Sequence, residues 1–214
     1  MVVPVRPGRT VLSAAFGFAL GVIAGSIPFA WLLHRLATGR DLRSEGSGNP
    51  GATNLLRAAG RFWGAAGFAL DAGKGAAAVL LAALLSGDRA KAAAALGAVV
   101  GHVFTPWLSG RGGKGVAPAA GAYSVLAPAA TAAALGVFAA VVAITGWISA
   151  GSVAGAAALP IAVLFFGPGG GALPAAIAIA ALVAWRHRAN FARMRAGTEP
   201  RAFRRASDRG GTPR

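Results

Sequence analysis

No cysteine occurs in the 214 residues. That removes a disulfide framework, a thiolate metal site and a cysteine nucleophile at once. Acids are scarce too: six Asp and Glu stand against 21 Lys and Arg, for a formal net charge of +15. A mechanism built on paired carboxylates has little to draw on. What the chain has is apolar mass. Hydrophobic residues make up 56% of it and the mean hydropathy is +0.61, above the roughly 45–50% apolar usage of soluble domains. A bilayer is therefore the expected solvent.

The excess positive charge raises the question of nucleic acid, since basic stripes attract phosphate backbones. Its distribution argues otherwise. Arg and Lys are nearly missing from the apolar stretches and crowd between them, most densely after Trp185, as when a bilayer excludes charge. The first apolar run, from Val11 behind Arg6 and Arg9, has the look of a secretory leader. Its length and the runs that follow argue against cleavage.

A helix needs about 20 apolar residues to cross the hydrocarbon core. The runs are rich in Ala, Leu and Val without strict alternation, which favours helices over barrel strands. Spans are expected at about 11–33, 62–85, 90–108, 150–166 and 173–185. The first carries Gly17, Gly21 and Gly25 at four-residue spacing, a stripe suited to close helix packing. The stretch 116–148 is long for one span and short for two. A turn at Pro128 resolves it through the positive-inside rule. One side then holds Arg35, Arg40, Arg43, Arg57, Arg61, Arg111, Lys114 and the nine arginines after Trp185, against Arg6, Arg9, Arg89 and Lys91 on the other. The expectation is an all-α polytopic integral membrane protein with seven transmembrane helices, N-terminus outside and C-terminus cytoplasmic. Residues 1–200 would form one membrane-embedded domain, and 201–214 a basic tail whose composition suggests disorder.

Four polar groupings carry possible chemistry. Gly46-Ser-Gly-Asn-Pro-Gly-Ala-Thr-Asn54, with Arg57 three residues on, allows tight turns with converging amides, as an anion requires; an ordinary turn-rich loop would read the same way. Gly110-Arg-Gly-Gly-Lys-Gly115 pairs a flexible backbone with a point charge at the start of a helix. It is not a Walker A loop, because Leu108 and Gly115 stand where that motif needs Gly and Ser or Thr. Asp71 and Lys74 share one face inside an apolar span, where ionisable groups mark function by default or simply neutralise each other. Arg186-His-Arg-Ala-Asn190 lies at a span terminus, where arginines also serve as plain anchors. His102 reads as a helix-packing residue rather than a base.

In order and wording these segments resemble the bacterial acyl-phosphate-dependent glycerol-3-phosphate acyltransferases, the PlsY type. The resemblance runs from Gly25-Ser-Ile-Pro-Phe29 through the two glycine-rich loops, Asp71-Ala-Gly-Lys-Gly75 and Gly101-His-Val-Phe104, to Arg186-His-Arg-Ala-Asn190 and Gly197-Thr-Glu199. It implies an inner-membrane enzyme with a cytoplasmic site that transfers an acyl group from acyl phosphate to glycerol 3-phosphate in phospholipid synthesis, with no cofactor, metal or nucleic acid. It also implies catalytic roles for Ser47, Lys114, His187 and Asn190. Substrate binding would fall to Gly48, Asn49, Asn54, Arg57, Gly112, Gly113 and Ser149. The hydroxyl proton would go either to His187 or to the departing phosphate. The chain departs from the family pattern at Gly146 and Trp147, where an Arg-Tyr pair is usual, and at Pro118 and Ala189. Two rivals remain. A transporter for a phosphorylated solute could use glycine-broken helices and buried charge, although the polar motifs crowd one side. An acyl-CoA or acyl-carrier-protein enzyme would be expected to show His-x4-Asp, but no aspartate stands five positions after His34, His102 or His187.

Overall fold

A computed structural model describes residues 7–202. Every regular element in it is helical. A long first helix, α1 (Pro7–Ser26), stops at Ile27-Pro28, and α2 (Phe29–Thr38) resumes beyond the break. The span expected over 11–33 remains one crossing segment, but its helix is broken at Ile27-Pro28, because Pro28 cannot donate into the ladder and disfavours helical geometry at the residue before it. A short α3 (Ala52–Ala59) leads into α4 (Arg61–Ser86); α5 (Lys91–Val103) follows a tight turn. The long apolar stretch breaks at Ala127-Pro128 into α6 (Val116–Leu126) and α7 (Pro128–Thr145), as Pro128 predicted. Then come α8 (Ile148–Phe166), α9 (Ala172–Arg186) and a short α10 (Arg188–Arg195).

Four segments are long and apolar enough to cross a bilayer: Val11–Thr38, Arg61–Ser86, Pro128–Thr145 and Ile148–Phe166. Their outer faces stay apolar, with Leu12, Leu84, Ile161 and Phe165 largely exposed, as suits a protein whose surroundings are lipid. The glycine stripe of α1 is the surface on which α5 packs. A Cβ on Gly17, Gly21 or Gly25 would collide with the carbonyls of Ala90, Ala94 and Ala98 in turn, so the helices meet backbone to backbone. In the same way Gly75 and Gly121 let α4 and α6 meet against the Pro118 and Ala72 carbonyls.

Helices α5, α6 and α9 have 13, 11 and 15 residues, so at about 1.5 Å per residue they fall short of a hydrocarbon core about 30 Å thick. Segments 39–51, 104–115 and 187–202, the last carrying α10, meet at one end of the bundle. Irregular backbone within a bilayer is tolerated only inside protein or along a polar cavity. The cavity is present.

Candidate active site

Three segments distant in sequence line one cavity of about 140 Å³, room for several water-sized groups. Ser47 and Asn49 come from the first, with Asn54 and Arg57 on α3 just behind it, Lys114 from the second, and His187 and Glu199 from the two ends of α10, which itself carries Asn190, with Ser149 at the start of α8.

The first loop is organised by Asn54. Its amide nitrogen donates to the Leu42 and Glu45 carbonyls at 3.1 and 2.9 Å, and its oxygen accepts from the Ser47 amide and hydroxyl at 2.9 and 3.2 Å. Asn54 is 1% exposed and fully engaged, so it shapes the loop that presents Ser47. Asn49 accepts from the Gly51 amide at 3.0 Å, closing a small turn. Gly48 faces an adjoining basic basin with Arg186, Arg188 and Arg193.

The second loop departs from expectation in one respect. Gly112 donates its amide to the Val103 carbonyl at 3.0 Å, and Gly113 donates to the His102 carbonyl at 3.2 Å. Their own carbonyls accept from Arg186 at 2.8 and 3.2 Å. The glycine amides expected to meet an anion are already spent on the end of α5, and neither residue lines the cavity. Gly112 and Gly113 earn their place by close approach, since a Cβ on either would strike His102. Lys114 is what the loop delivers. Burial pushes its ammonium down to about 8, with Glu199 opposing and nearby arginines reinforcing the shift.

In the third segment Lys114 donates to Asn190 Oδ1, Asn190 Nδ2 donates to Glu199 Oε1 at 2.6 Å, and the Ser149 hydroxyl donates to the same oxygen at 2.6 Å. Arg193 holds the other carboxylate oxygen at 2.7 Å. Glu199, 6% exposed, thus accepts from three side chains directly and is tied to Lys114 through Asn190, yet it carried no site role in the reading of the sequence. The available signal was its rarity, as one of six acids in a basic chain. Burial works to raise its pKa, but donors from Ser149, Asn190 and Arg193 prevail and hold it below the ordinary carboxylate range. His187 donates Nδ1–H to the Val183 carbonyl at 2.7 Å, which leaves Nε2 with the lone pair. Burial first, then the Lys114 charge, lowers its pKa to about 4. It is neutral at pH 7.

Beyond Glu199 the chain crosses the site. The Arg57 guanidinium reaches the Pro200 carbonyl at 3.5 Å, Ala202 donates to the Gly146 carbonyl at 2.7 Å, and Arg201 lies 5.3 Å over the Trp147 ring. Gly146 has φ +75° at the end of α7, a left-handed position that suits glycine. Of the expected tail 201–214, only Arg201 and Ala202 are described; the remainder lies outside the described residues.

The profile of the family described as glycerol-3-phosphate acyltransferase matches residues 15–197. The chain belongs to that family. A Synechococcus sp. (strain CC9902) glycerol-3-phosphate acyltransferase is 41% identical over 192 residues, covering 89% of this chain and 96% of the relative. One from Myxococcus xanthus (strain DK1622) is 45% identical over 185 residues, covering 85% and 96%. Among solved structures, PlsY, an integral membrane glycerol 3-phosphate acyltransferase in its glycerol 3-phosphate form, superposes with a TM-score of 0.82 at 33% identity, over 88% of this chain and 95% of that one. A lysophosphatidic acid form of PlsY gives 0.78 at 30% identity. This acyltransferase is accordingly of the PlsY type, an integral membrane enzyme of phospholipid synthesis.

Proposed function

We propose that the enzyme transfers a fatty acyl group from acyl phosphate to the 1-hydroxyl of glycerol 3-phosphate, giving 1-acyl-glycerol 3-phosphate and inorganic phosphate. The observation that carries this reading is the convergence of Ser47, Arg57, Lys114, His187 and Asn190 on one cavity. Acyl phosphate is already activated, so the task is to hold two anions with the hydroxyl oxygen against the acyl carbonyl. Lys114 and Arg57 offset phosphate charge, and Ser47 and Asn190 orient oxygens. The hydroxyl oxygen bonds to the carbonyl carbon, the bond from that carbon to the phosphate oxygen breaks, and the hydroxyl proton leaves. His187 offers an Nε2 lone pair, but a pKa near 4 makes it a weak base. That supports the departing phosphate as proton acceptor. Loss of turnover in His187→Gln with substrate affinity intact would reverse this assignment.

Apolar Val116 and Phe138 border both the polar cavity and a second pocket lined by Tyr123, Leu135, Leu159 and Ile179, which suits the acyl chain. The surplus of Arg and Lys in the loops at the site end supports seven crossings, an outside N-terminus and a site facing the cytoplasm of the inner membrane. Reporter fusions after Leu85 and after Arg201 should read outside and inside respectively; both reading inside removes that topology. The donor is tested with purified protein, labelled glycerol 3-phosphate and either acyl phosphate or acyl-CoA. Lysophosphatidate is expected with the first alone, and its absence from folded protein rejects the proposed reaction.

A further inference from the structure

The chain beyond Glu199 runs alongside the turn between α7 and α8 in the opposite sense. Three contacts fix the register. Glu199 Oε1 accepts from the Ser149 hydroxyl at 2.6 Å, the Arg201 guanidinium lies 5.3 Å over the Trp147 ring, and the Ala202 amide donates to the Gly146 carbonyl at 2.7 Å. Each step forward from 199 to 202 is matched by a step back from 149 to 146, so the two stretches lie antiparallel and are pinned at both ends. The φ of +75° at Gly146 turns the end of α7 into this path, and the Arg201 stem lies along it, 3.6 Å from where a Cβ on Gly146 would stand. An aromatic face holds an arginine without drawing on any of the chain's six acids.

What this pairing holds in place is Glu199. Helix α10 ends at Arg195, and the Thr198 and Glu199 amides turn back onto the Arg193 carbonyl at 2.8 and 3.2 Å. That turn fixes the chain before Glu199, while the chain after it depends on the contacts of 200–202. The carboxylate orients Asn190, which in turn accepts from Lys114, and the Pro200 carbonyl meets the Arg57 guanidinium at 3.5 Å. We propose that Arg201 and Trp147 are positioning residues of the acyltransferase: their stacked pair clasps the strap 200–202 to the α7–α8 turn and so keeps Glu199 where it sets Asn190 and Lys114. Neither is among the described residues lining the cavity, so both act through Glu199 and not on the substrate. The role rests on the anion-holding reading of the cavity, though not on the identity of the acyl donor.

Glycerol 3-phosphate titrations of the full-length protein in lipid nanodiscs test the clasp. Folded Arg201→Ala and Trp147→Ala should each bind about three- to fivefold more weakly than the parent, the size of one cation–ring contact. Arg201→Lys and Trp147→Phe keep a cation and a ring and should stay within about twofold. A double-mutant cycle with Glu199→Ala separates positioning from direct contact. Once the carboxylate is gone the clasp has nothing to place, so adding Arg201→Ala should change affinity by less than about twofold. The same three- to fivefold loss in both backgrounds would mean that Arg201 acts without Glu199 and would overturn the proposal. So would a fall in the folded fraction with parent affinity in the protein that remains folded, the mark of a purely structural contact. Parent protein that binds no glycerol 3-phosphate would remove the anion-holding reading of the cavity and this role with it, a result distinct from binding that the clasp variants leave unchanged.

Discussion

Asp71 and Glu199 are both buried carboxylates bordering the cavity, 1% and 6% exposed, and they are neutralised in different ways. Asp71 sits inside α4 with its countercharge Lys74 on the same helix face. From there the polar contacts pass to His102 and on to the glycine loop. Glu199 lies in a loop after α10 and gathers three donors from two elements: Ser149 of α8, and Asn190 and Arg193 of α10. One acid is neutralised locally and acts through packing, whereas the other is neutralised only when the fold closes around it. Removing a partner from the first should therefore cost stability before activity, and changes to the second should cost activity first.

The largest effect is expected from Lys74→Met, which strands the Asp71 charge in the bundle. Breaking one partner of a buried pair costs about 3–5 kcal/mol, read as loss of folded protein in thermal unfolding in detergent. The double variant Asp71→Leu/Lys74→Met should recover much of that stability, since buried pairs replaced as a unit by apolar residues are often neutral. No recovery would mean the pair does more than neutralise itself. Glu199→Ala comes next. It leaves Ser149, Asn190 and Arg193 without their common acceptor, and kcat/KM should fall about 100-fold through misplaced Asn190 and Lys114. A purely structural Glu199 would instead lower the yield of folded protein and leave kcat/KM of the survivors near normal.

Glu199→Gln retains an acceptor and should be milder, about tenfold in kcat/KM. Its pH behaviour sharpens the contrast. Because the folded value is held below the ordinary 4.5, Glu199 contributes stability above that value and loses it as pH falls through the folded pKa. Stability curves of wild type and Glu199→Gln should converge at low pH. The smallest effect concerns Lys114, whose value near 8 against an ordinary 10.5 empties its charge early. For the free enzyme kcat/KM should fall above about pH 8, while this group's contribution to stability rises between 8 and 10.5, where the unfolded chain binds more protons. Lys114→Arg should move the alkaline limb upward.

The difference between the two acids also marks what could be read in advance. Asp71 and Lys74 stood out because charge within an apolar run is conspicuous and a three-residue interval fixes a shared helix face. The break at Pro128 and the seam of Gly17, Gly21 and Gly25 were legible for the same reason, since each is a local rule of helix geometry. Ser47, Lys114 and Asn190 came from motif resemblance, and the fold brings them to one cavity. Glu199 was missed because its meaning lies in partners 9 and 50 residues away in sequence, which only the folded chain brings to it. The role given to the Gly112 and Gly113 amides failed for a related reason: a glycine-rich loop advertises free N–H groups, and the end of α5 had already claimed them. The break at Ile27-Pro28 was visible in the residues but masked by the hydropathy on either side.

The central claim is that three separated segments, two loops and the start of α10, grip one phosphate together. Binding isotherms of glycerol 3-phosphate for Ser47→Ala, Lys114→Met and Asn190→Ala, one change per segment, test it most directly. Each folded variant should bind at least about tenfold more weakly than the parent. Wild-type affinity in any one of them would show that its segment takes no part in holding the anion.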